Sequence, residues 1–488
     1  MRKLLASVFF GLSASALFSQ NEIDALRYSQ TNLTGTARSI GAGNAFGAVG
    51  GDFNSTSINP AGLGVYRRNE LGASLGFYNN TTRSFFINNT GTDSKFNLNL
   101  SNLGFVISTP TENSSGWKFV NFGIGVNRNN NFNQRIYFSG TNTKSSMLDY
   151  FLEKATGQRY DQMSAVSLER LAWATYLIDT LPGYMDQYYN DLVNDTSFSI
   201  NQSNSLASTG NMRDINISLG GNYEEKFYLG ASVLLSRIKY TENVTYNESD
   251  NTNSVANFNS FTLDKYLNTE GTGIAARIGA IIRPVDEFRI GFSYQSPTAY
   301  KLNDNYNYSL TSSINQWVDT ATSPDGEYDY NLTTPGKITA SAAYFFGKQG
   351  FISADFETSD YSRARLSSDG YAFVDENIAI REQYRRAYNF RLGGELLVDV
   401  YSFRAGFMLN GTPFSNKFNV PDVETMQPGF SLGMGIRGEN NFIDFAYQNV
   451  FATTYYSPYT LTAINKPYYT AKNNSSISNF VVSLGFKF

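Results

Sequence analysis

Histidine and cysteine are both absent from the 488 residues. Without cysteine the chain forms no disulfide, no iron–sulfur cluster, no thiolate zinc site and no cysteine nucleophile. Without histidine it has no Ser-His-Asp triad, no histidine metal site and no histidine-ligated haem. These absences argue against an enzyme, and no cofactor or metal is expected. Charge is scarce as well. Asp, Glu, Lys and Arg make up 16% of the residues, against ~25% in an ordinary soluble protein. Thirty-eight basic and 42 acidic side chains give a net charge of −4, with no basic run. Phosphate contacts need clustered Lys and Arg, so no nucleic-acid partner is expected.

Long apolar runs are missing too. Met1-Arg2-Lys3 precedes an uncharged stretch from Leu4 to Phe18, then Ser19-Gln20-Asn21. A basic start, a short apolar core and small residues near its end predict a secretory signal peptide over residues 1–19. The stretch is shorter than the ~20 residues of a spanning helix, and nothing downstream approaches that length. A membrane protein of this composition would have to cross with strands, in which only alternate residues face lipid.

Aromatics are plentiful, with 33 Tyr and 38 Phe. Many of them recur with period two. Phe480, Val482, Leu484, Phe486 and Phe488 alternate with Val481, Ser483, Gly485 and Lys487. Phe288, Ile290, Phe292 and Tyr294 alternate with Arg289, Gly291, Ser293 and Gln295. Tyr388, Phe390, Leu392 and Leu396 share one parity, while Arg391 and Glu395 share the other. Such strands carry one apolar and one polar face. A sandwich core could not hide Arg391, Glu395, Arg404 and Asp444 cheaply, whereas a wet lumen can. The expected fold is therefore all-β: a transmembrane antiparallel β-barrel of about fourteen strands over residues 69–488. Tight turns such as Glu224-Glu225-Lys226 fall at one end. Stretches rich in Asn, Ser and Thr, such as Asn243 to Gly271 and Tyr300 to Pro335, read as long loops at the other.

Two stretches do not alternate. Residues 20–68 are rich in Gly, Ala, Ser and Asn, which suits a compact segment packed inside a barrel. Gly41-Ala42-Gly43 is followed by Gly47, one residue too late for a dinucleotide fingerprint. Over residues 145–193, Met147, Leu148, Phe151 and Leu152 fall at helical spacing, as do Leu168, Leu171, Ala172, Tyr176 and Leu177, with Trp173 nearby. Met185, Tyr188, Tyr189 and Leu192 follow the Pro182-Gly183 break. Helices in a long extracellular loop are expected, serving either as a rim cap or as a greasy capture groove.

Gly35-Thr36-Ala37-Arg38-Ser39, Gly47-Ala48-Val49-Gly50-Gly51-Asp52 and Ser57-Ile58-Asn59-Pro60-Ala61-Gly62-Leu63 resemble the N-terminal hatch of the FadL/TodX family. The Asn-Pro-Ala triplet of that hatch matches Asn59, Pro60 and Ala61. The ending at Phe488 resembles the signal read by the bacterial barrel-assembly machinery. The resemblance implies a hatch in the lumen and gated, passive transport of long-chain fatty acids or other hydrophobic compounds across a Gram-negative outer membrane. Implied partners are the hydrophobic ligand, outer-membrane lipid and lipopolysaccharide, and the assembly machinery; a monomer is expected. Asn59, Pro60, Ala61 and Gly62 are then gate elements. Arg277, Arg391 and Arg404 have lumen parity and are candidates to pair with a ligand carboxylate. Their alternative role is a lumen ion network with Glu395, Asp355 and Asp444. Trp173, Tyr176 and Leu177 are candidates for the capture groove. The glycines at 123 and 125 mark a candidate inward kink in the third strand. The rival function is a barrel serving a protein secretion system.

Overall fold

Period-two alternation carries through fourteen strands in the computed structural model, which describes residues 22–111, 116–192, 198–315, 317–415, 426–462 and 466–488. The expected signal peptide lies outside the described residues. The strands are β1 (Glu70–Phe86), β2 (Asn89–Pro110), β3 (Trp117–Asn131, continued by Gln134–Asn142), β4 (Ile200–Tyr223), β5 (Phe227–Ser249) and β6 (Phe258–Val285). Next come β7 (Phe288–Gln295, continued by Ala299–Ile314), β8 (Trp317–Thr322, Gly326–Thr333 and Lys337–Phe345) and β9 (Gly350–Asp360, continued by Arg365–Ser367). The ring ends with β10 (Arg386–Val398), β11 (Tyr401–Gly411), β12 (Met426–Arg437), β13 (Asn441–Tyr456) and β14 (Ala471–Lys487). β1 pairs antiparallel with β14 from Glu70↔Lys487 to Phe85↔Lys472, which closes the barrel. Asn69 and Phe488 exchange backbone hydrogen bonds of 3.1 Å below that seam.

The outward parity is apolar and exposed, as at Leu71, Leu75 and Phe77 on β1 and Phe480, Leu484 and Phe486 on β14. The inward parity is polar and buried, as at Ser74, Asn80 and Thr82. This is the inverse of a soluble core, and it suits a lipid exterior.

The stretches read as loops at Asn243 to Gly271 and Tyr300 to Pro335 are largely strand. β5 and β6 pair up to Ser249↔Ser260, and β7 pairs with β6 up to Ile314↔Phe258. These extensions rise beyond the lipid belt. No hydrocarbon meets their outer face there, so Asn, Thr and Ser replace the apolar partners and the contrast that reveals a strand disappears.

The insertion between β3 and β4 caps this end. α2 (Met147–Ala155) starts at a capping box between Ser146 and Asp149, and α3 (Leu168–Ala174) starts at Ser167. Met147, Leu148, Phe151, Leu168 and Leu171 bury their faces on Tyr246, Phe261, Leu263 and Leu310 of the barrel wall. The third stretch is not helical: Thr180 pairs with Tyr188 and Asp179 with Tyr189 in a short ladder turned around Pro182-Gly183, where Gly183 has φ +87°.

Residues 31–66 fill the opposite end of the lumen, preceded by helix α1 (Glu22–Ser29). Their partners come from all round the ring, which only an internal position allows. Ser483 of β14 accepts from the Ala37 N–H at 2.7 Å, Asp355 of β9 from Gly47 at 3.1 Å, and Ser293 of β7 donates to the Ile58 carbonyl at 2.6 Å. The Asn59 amide donates to the carbonyls of Gly47 (2.8 Å) and Ala280 (3.1 Å) and accepts from the Ala61 N–H (3.1 Å). Pro60 then opens the 3-10 turn Pro60–Val65. The wall admits this turn through glycine. A Cβ at Gly230 would lie 2.3 Å from the Pro60 carbonyl, and one at Gly279 would lie 2.0 Å from the Asn59 side chain.

Asn59→Ala removes all three hydrogen bonds and should cost the turn about 1–2 kcal/mol. Hydrogen exchange across residues 47–62 is expected to accelerate while the β1–β14 ladder stays protected. Unchanged exchange would mean that packing alone holds the turn. Gly230→Leu should displace the turn outright, with the heat-stable barrel retained on a gel.

Candidate functional site

Between the cap and the residue 31–66 segment lies a cavity of about 540 Å³. Ile23 and Arg27 of α1 line one side, and Tyr240 and Glu242 of β5 with Lys265 of β6 line another. Ile136, Leu206, Val244 and Ile477 add apolar wall. The space is thus amphipathic. Arg27 is held by Asp24, stands 3.9 Å from Glu242 and lies 4.2 Å over the Tyr240 ring. Lys265, half-buried and on the inward parity with Leu263, forms no ion pair among the described residues. The Tyr384 hydroxyl donates to the Glu22 carbonyl at 3.0 Å, and Leu26 and Tyr28 pack into a cluster with Tyr300, Tyr330 and Phe373. That cluster holds α1 against β7, β8 and α4 (Val374–Gln383).

The same cavity reaches β3 where that strand breaks. Asn130, Asn131, Phe132 and Gln134 line it; Phe132 and Asn133 leave the strand, although the Phe132 N–H still donates to the Gly210 carbonyl of β4 at 3.1 Å. Below the break, β3 pairs with β2 from Pro110↔Phe119 to Asn102↔Asn127. Above it, Gln134–Asn142 pairs only with β4, so β2 from Asn89 to Ser101 lacks a ladder on this side. Long contacts to the Asn97 side chain bridge this gap, 3.4 Å from both Arg128 and Asn131. Phe96, Leu98 and Leu100 stand exposed at this level on β2. Gly123 and Gly125 do not mark the break. They lie lower, against Leu63 and Phe53, where the wall needs small residues to accept the inner segment.

The sequence candidates fall elsewhere. Arg404 is fully buried and saturated: it pairs with Glu395 (2.6 Å) and Asp444 (2.7 Å) and donates to Ser402. Arg38 joins from the inner segment through Glu395 at 2.8 Å, and Arg437 meets Asp444 at 3.3 Å. Burial pushes the nearby Asp52 carboxyl up, against the pull of Arg38 and hydrogen bonds from Thr36 and the Asn54 N–H. Arg277 donates to the Thr56 carbonyl at 2.8 Å, and Arg391 meets Glu357 at 3.3 Å. Each lines a separate small pocket below the main cavity, of about 30 and 50 Å³ respectively. In the cap, Trp173 stacks on Tyr160 at 4.6 Å, Leu177 is buried and Tyr176 is exposed, so the three form no common groove. Asn59, Pro60, Ala61 and Gly62 are adjacent and buried at the wall. Sequence reasoning passed over Arg27 and Lys265. The parity Leu263-Lys265-Leu267 was the available signal for the second.

The sequence profile of the outer membrane protein transport family (OMPP1/FadL/TodX) matches residues 192–488. No curated protein sequence matches. Among solved structures, a FadL homologue of Pseudomonas aeruginosa superposes with a TM-score of 0.56 at 14% identity, covering 94% of this chain and 99% of that one. The toluene transporter TodX of Pseudomonas putida gives 0.52 at 14%, covering 94% and 100%. The toluene transporter TbuX of Ralstonia pickettii gives 0.51 at 17%, covering 94% and 99%. At these identities the likeness speaks for the fold; the profile, which spans more than half of the chain, speaks for the family. The chain belongs to the FadL/TodX family of outer-membrane transporters of hydrophobic compounds, which are channels and not enzymes.

Proposed function

We propose that this barrel passively carries amphipathic hydrophobic molecules, with long-chain fatty acids as the model cargo, from the cell exterior into the outer membrane. The observation that carries the reading is that the 540 Å³ cavity reaches the break in β3, above which β2 has no ladder partner on that side. The cavity falls within the ~300–1,000 Å³ of small-molecule sites. Its apolar wall would take the chain at ~25 cal/mol per Å² buried. Lys265, with no carboxylate bound to it, would take an anionic head group. Arg404 is unsuited to that role, since a ligand would have to break two buried ion pairs.

The ligand would leave sideways. Downward passage is blocked by the packed segment around Asn59, Pro60, Ala61 and Gly62, whereas the gap above Asn102 opens at the level of lipid-facing Phe96, Leu98 and Leu100. Movement of that segment, whose ionic attachment is Arg38 to Glu395, would act as a gate. No energy source is needed, because transfer into hydrocarbon is downhill for such a solute.

Two experiments test this. Lys265→Gln should weaken oleate binding about tenfold, the scale of one charge-assisted hydrogen bond, and leave toluene binding unchanged. Equal losses for both ligands would remove the head-group role. Deleting Phe132 with Asn133 preserves parity and should let β3 run straight onto β2. Binding is then expected to persist while uptake by cells on oleate falls; unchanged uptake would sink the lateral route.

A further inference from the structure

One rung of the outer wall carries an arrangement that neither folding nor transport explains. Arg128 of β3 stands directly opposite Arg213 of β4, and Arg213 stands opposite Arg237 of β5. The rung continues through Thr272 of β6 to Lys301 of β7. All four cations have outward parity, and Arg213, Arg237 and Lys301 are exposed. Lys239 sits one outward position higher on β5. Like charges directly opposite across a ladder are destabilising. The nearest carboxylates are Glu270, 3.8 Å from Arg237 and 3.0 Å from Lys239, and the exposed Asp329, one outward position above Asn331, the partner of Lys301. Arg213 and Lys301 form no ion pair among the described residues, whereas the Arg128 side chain turns to the inward-parity Asn97 at 3.4 Å, in the bridge across the β2–β3 gap.

The position of this rung is as specific as its charge. The outward rung below it, toward the short turns, reads Val126, Ile215, Leu235, Ile274 and Ala299, each paired with the next. Ile215, Leu235 and Ile274 are exposed apolar side chains. The cations therefore line the upper boundary of the lipid belt, on the side of the long loops and the cap. That boundary is where outer-leaflet head groups lie. A row of guanidinium groups at strand spacing, ~4.8 Å apart, matches phosphate oxygens through bidentate hydrogen bonds.

We infer that Arg213, Arg237, Lys239 and Lys301 form a binding site for the phosphorylated head group of an outer-leaflet glycolipid, whose acyl chains lie on Ile215, Leu235 and Ile274. The phosphates relieve the repulsion within the row. A phosphate-bearing sugar with several acyl chains satisfies both rungs at once, whereas a free anion satisfies only the upper one. The inference rests on the outer-membrane placement of the barrel and not on the identity of the transported molecule.

The test uses the purified full chain in neutral detergent, with binding read by native mass spectrometry. The probes are diphosphoryl lipid A, its dephosphorylated form, phosphatidylglycerol and inorganic phosphate. Diphosphoryl lipid A is expected to bind at least about tenfold more tightly than the dephosphorylated form, as two or more charge-assisted contacts require. R213Q/R237Q/K301Q should erase that difference. R83Q/K472Q, which alters outward cations of β1 and β14 across the barrel, should leave it intact. Equal binding of the two lipid A forms, or retained preference in the triple variant, would overturn the site. Phosphatidylglycerol or inorganic phosphate matching lipid A would overturn the glycolipid assignment. The comparison of the two lipid A forms uses the unaltered protein, so misfolding of a variant cannot rescue the proposal.

Discussion

Backbone N–H and C=O groups cannot be left unpaired in hydrocarbon, and every other feature of this molecule is arranged around that constraint. Fourteen strands satisfy it by closing on themselves, with β1 laddered to β14 along its length. The upper half of β2 lacks a ladder on its β3 side. There the continuation of β3 leaves register and leans inward over β1 and β2, with the Tyr137 carbonyl against Gly91. Phe86 at the end of β1 packs on Phe138 at 4.6 Å, and Gln134 reaches Thr82 and Ser475 on the inner faces of β1 and β14. The inward strand keeps its own ladder to β4 and so pays nothing on that side. The whole cost of the opening therefore falls on one exposed edge.

A second constraint acts inside. The lumen must be filled without leaving charges stranded. Arg38, Glu395, Arg404, Asp444 and Arg437 form a continuous buried chain from the inner segment into β10, β11, β13 and β12. Breaking one member of such a chain typically costs ~3–5 kcal/mol, because the partner is left uncompensated. The network therefore fixes where the segment sits. The rest of its wall contact combines glycines and small hydroxyls with Asp355 accepting from Gly47, Arg277 and Arg289 donating to the Thr56 and Val49 carbonyls, and Phe46 packed on Phe351.

Much of this architecture was legible in the alternation. Within the lipid belt, Phe480 against Val481 and Ser483, or Phe390 against Arg391, gives a contrast that only a membrane barrel produces. The contrast fades where water replaces lipid, which is why the extensions at Asn243 to Gly271 and Tyr300 to Pro335 resembled loops. Parity also placed Arg277, Arg391 and Arg404 in the lumen, but parity is blind to height. It could not separate Arg404, locked at the level of the inner segment, from Lys265, open to the cavity above. The break at Phe132 and Asn133 lies in the Asn-rich run from Asn127 to Gln134, whose turn-prone composition is spread over the whole run and does not single out one point. The break is set by contacts with α1 and β1, which are far away in the sequence.

Height along the barrel is thus the variable that organises function. At the lowest level, short turns and the Asn59–Pro60 turn close the bore. The buried ion network, whose Arg437 ends β12 beside the short turn at Gly438, anchors the inner segment at this same level. Higher, the cavity reaches the break in β3, at a level where the outer wall remains apolar. The polar head of an amphiphile bound there would lie near Arg27 and Lys265 while its chain already faces the level of the lipid tails. Sideways exit then requires no polar group to cross the hydrocarbon core: the head group moves laterally toward the same boundary that the outer arginines define. The transport geometry and the lipid-facing cation row therefore express one condition, that charge meets the membrane only at its surface.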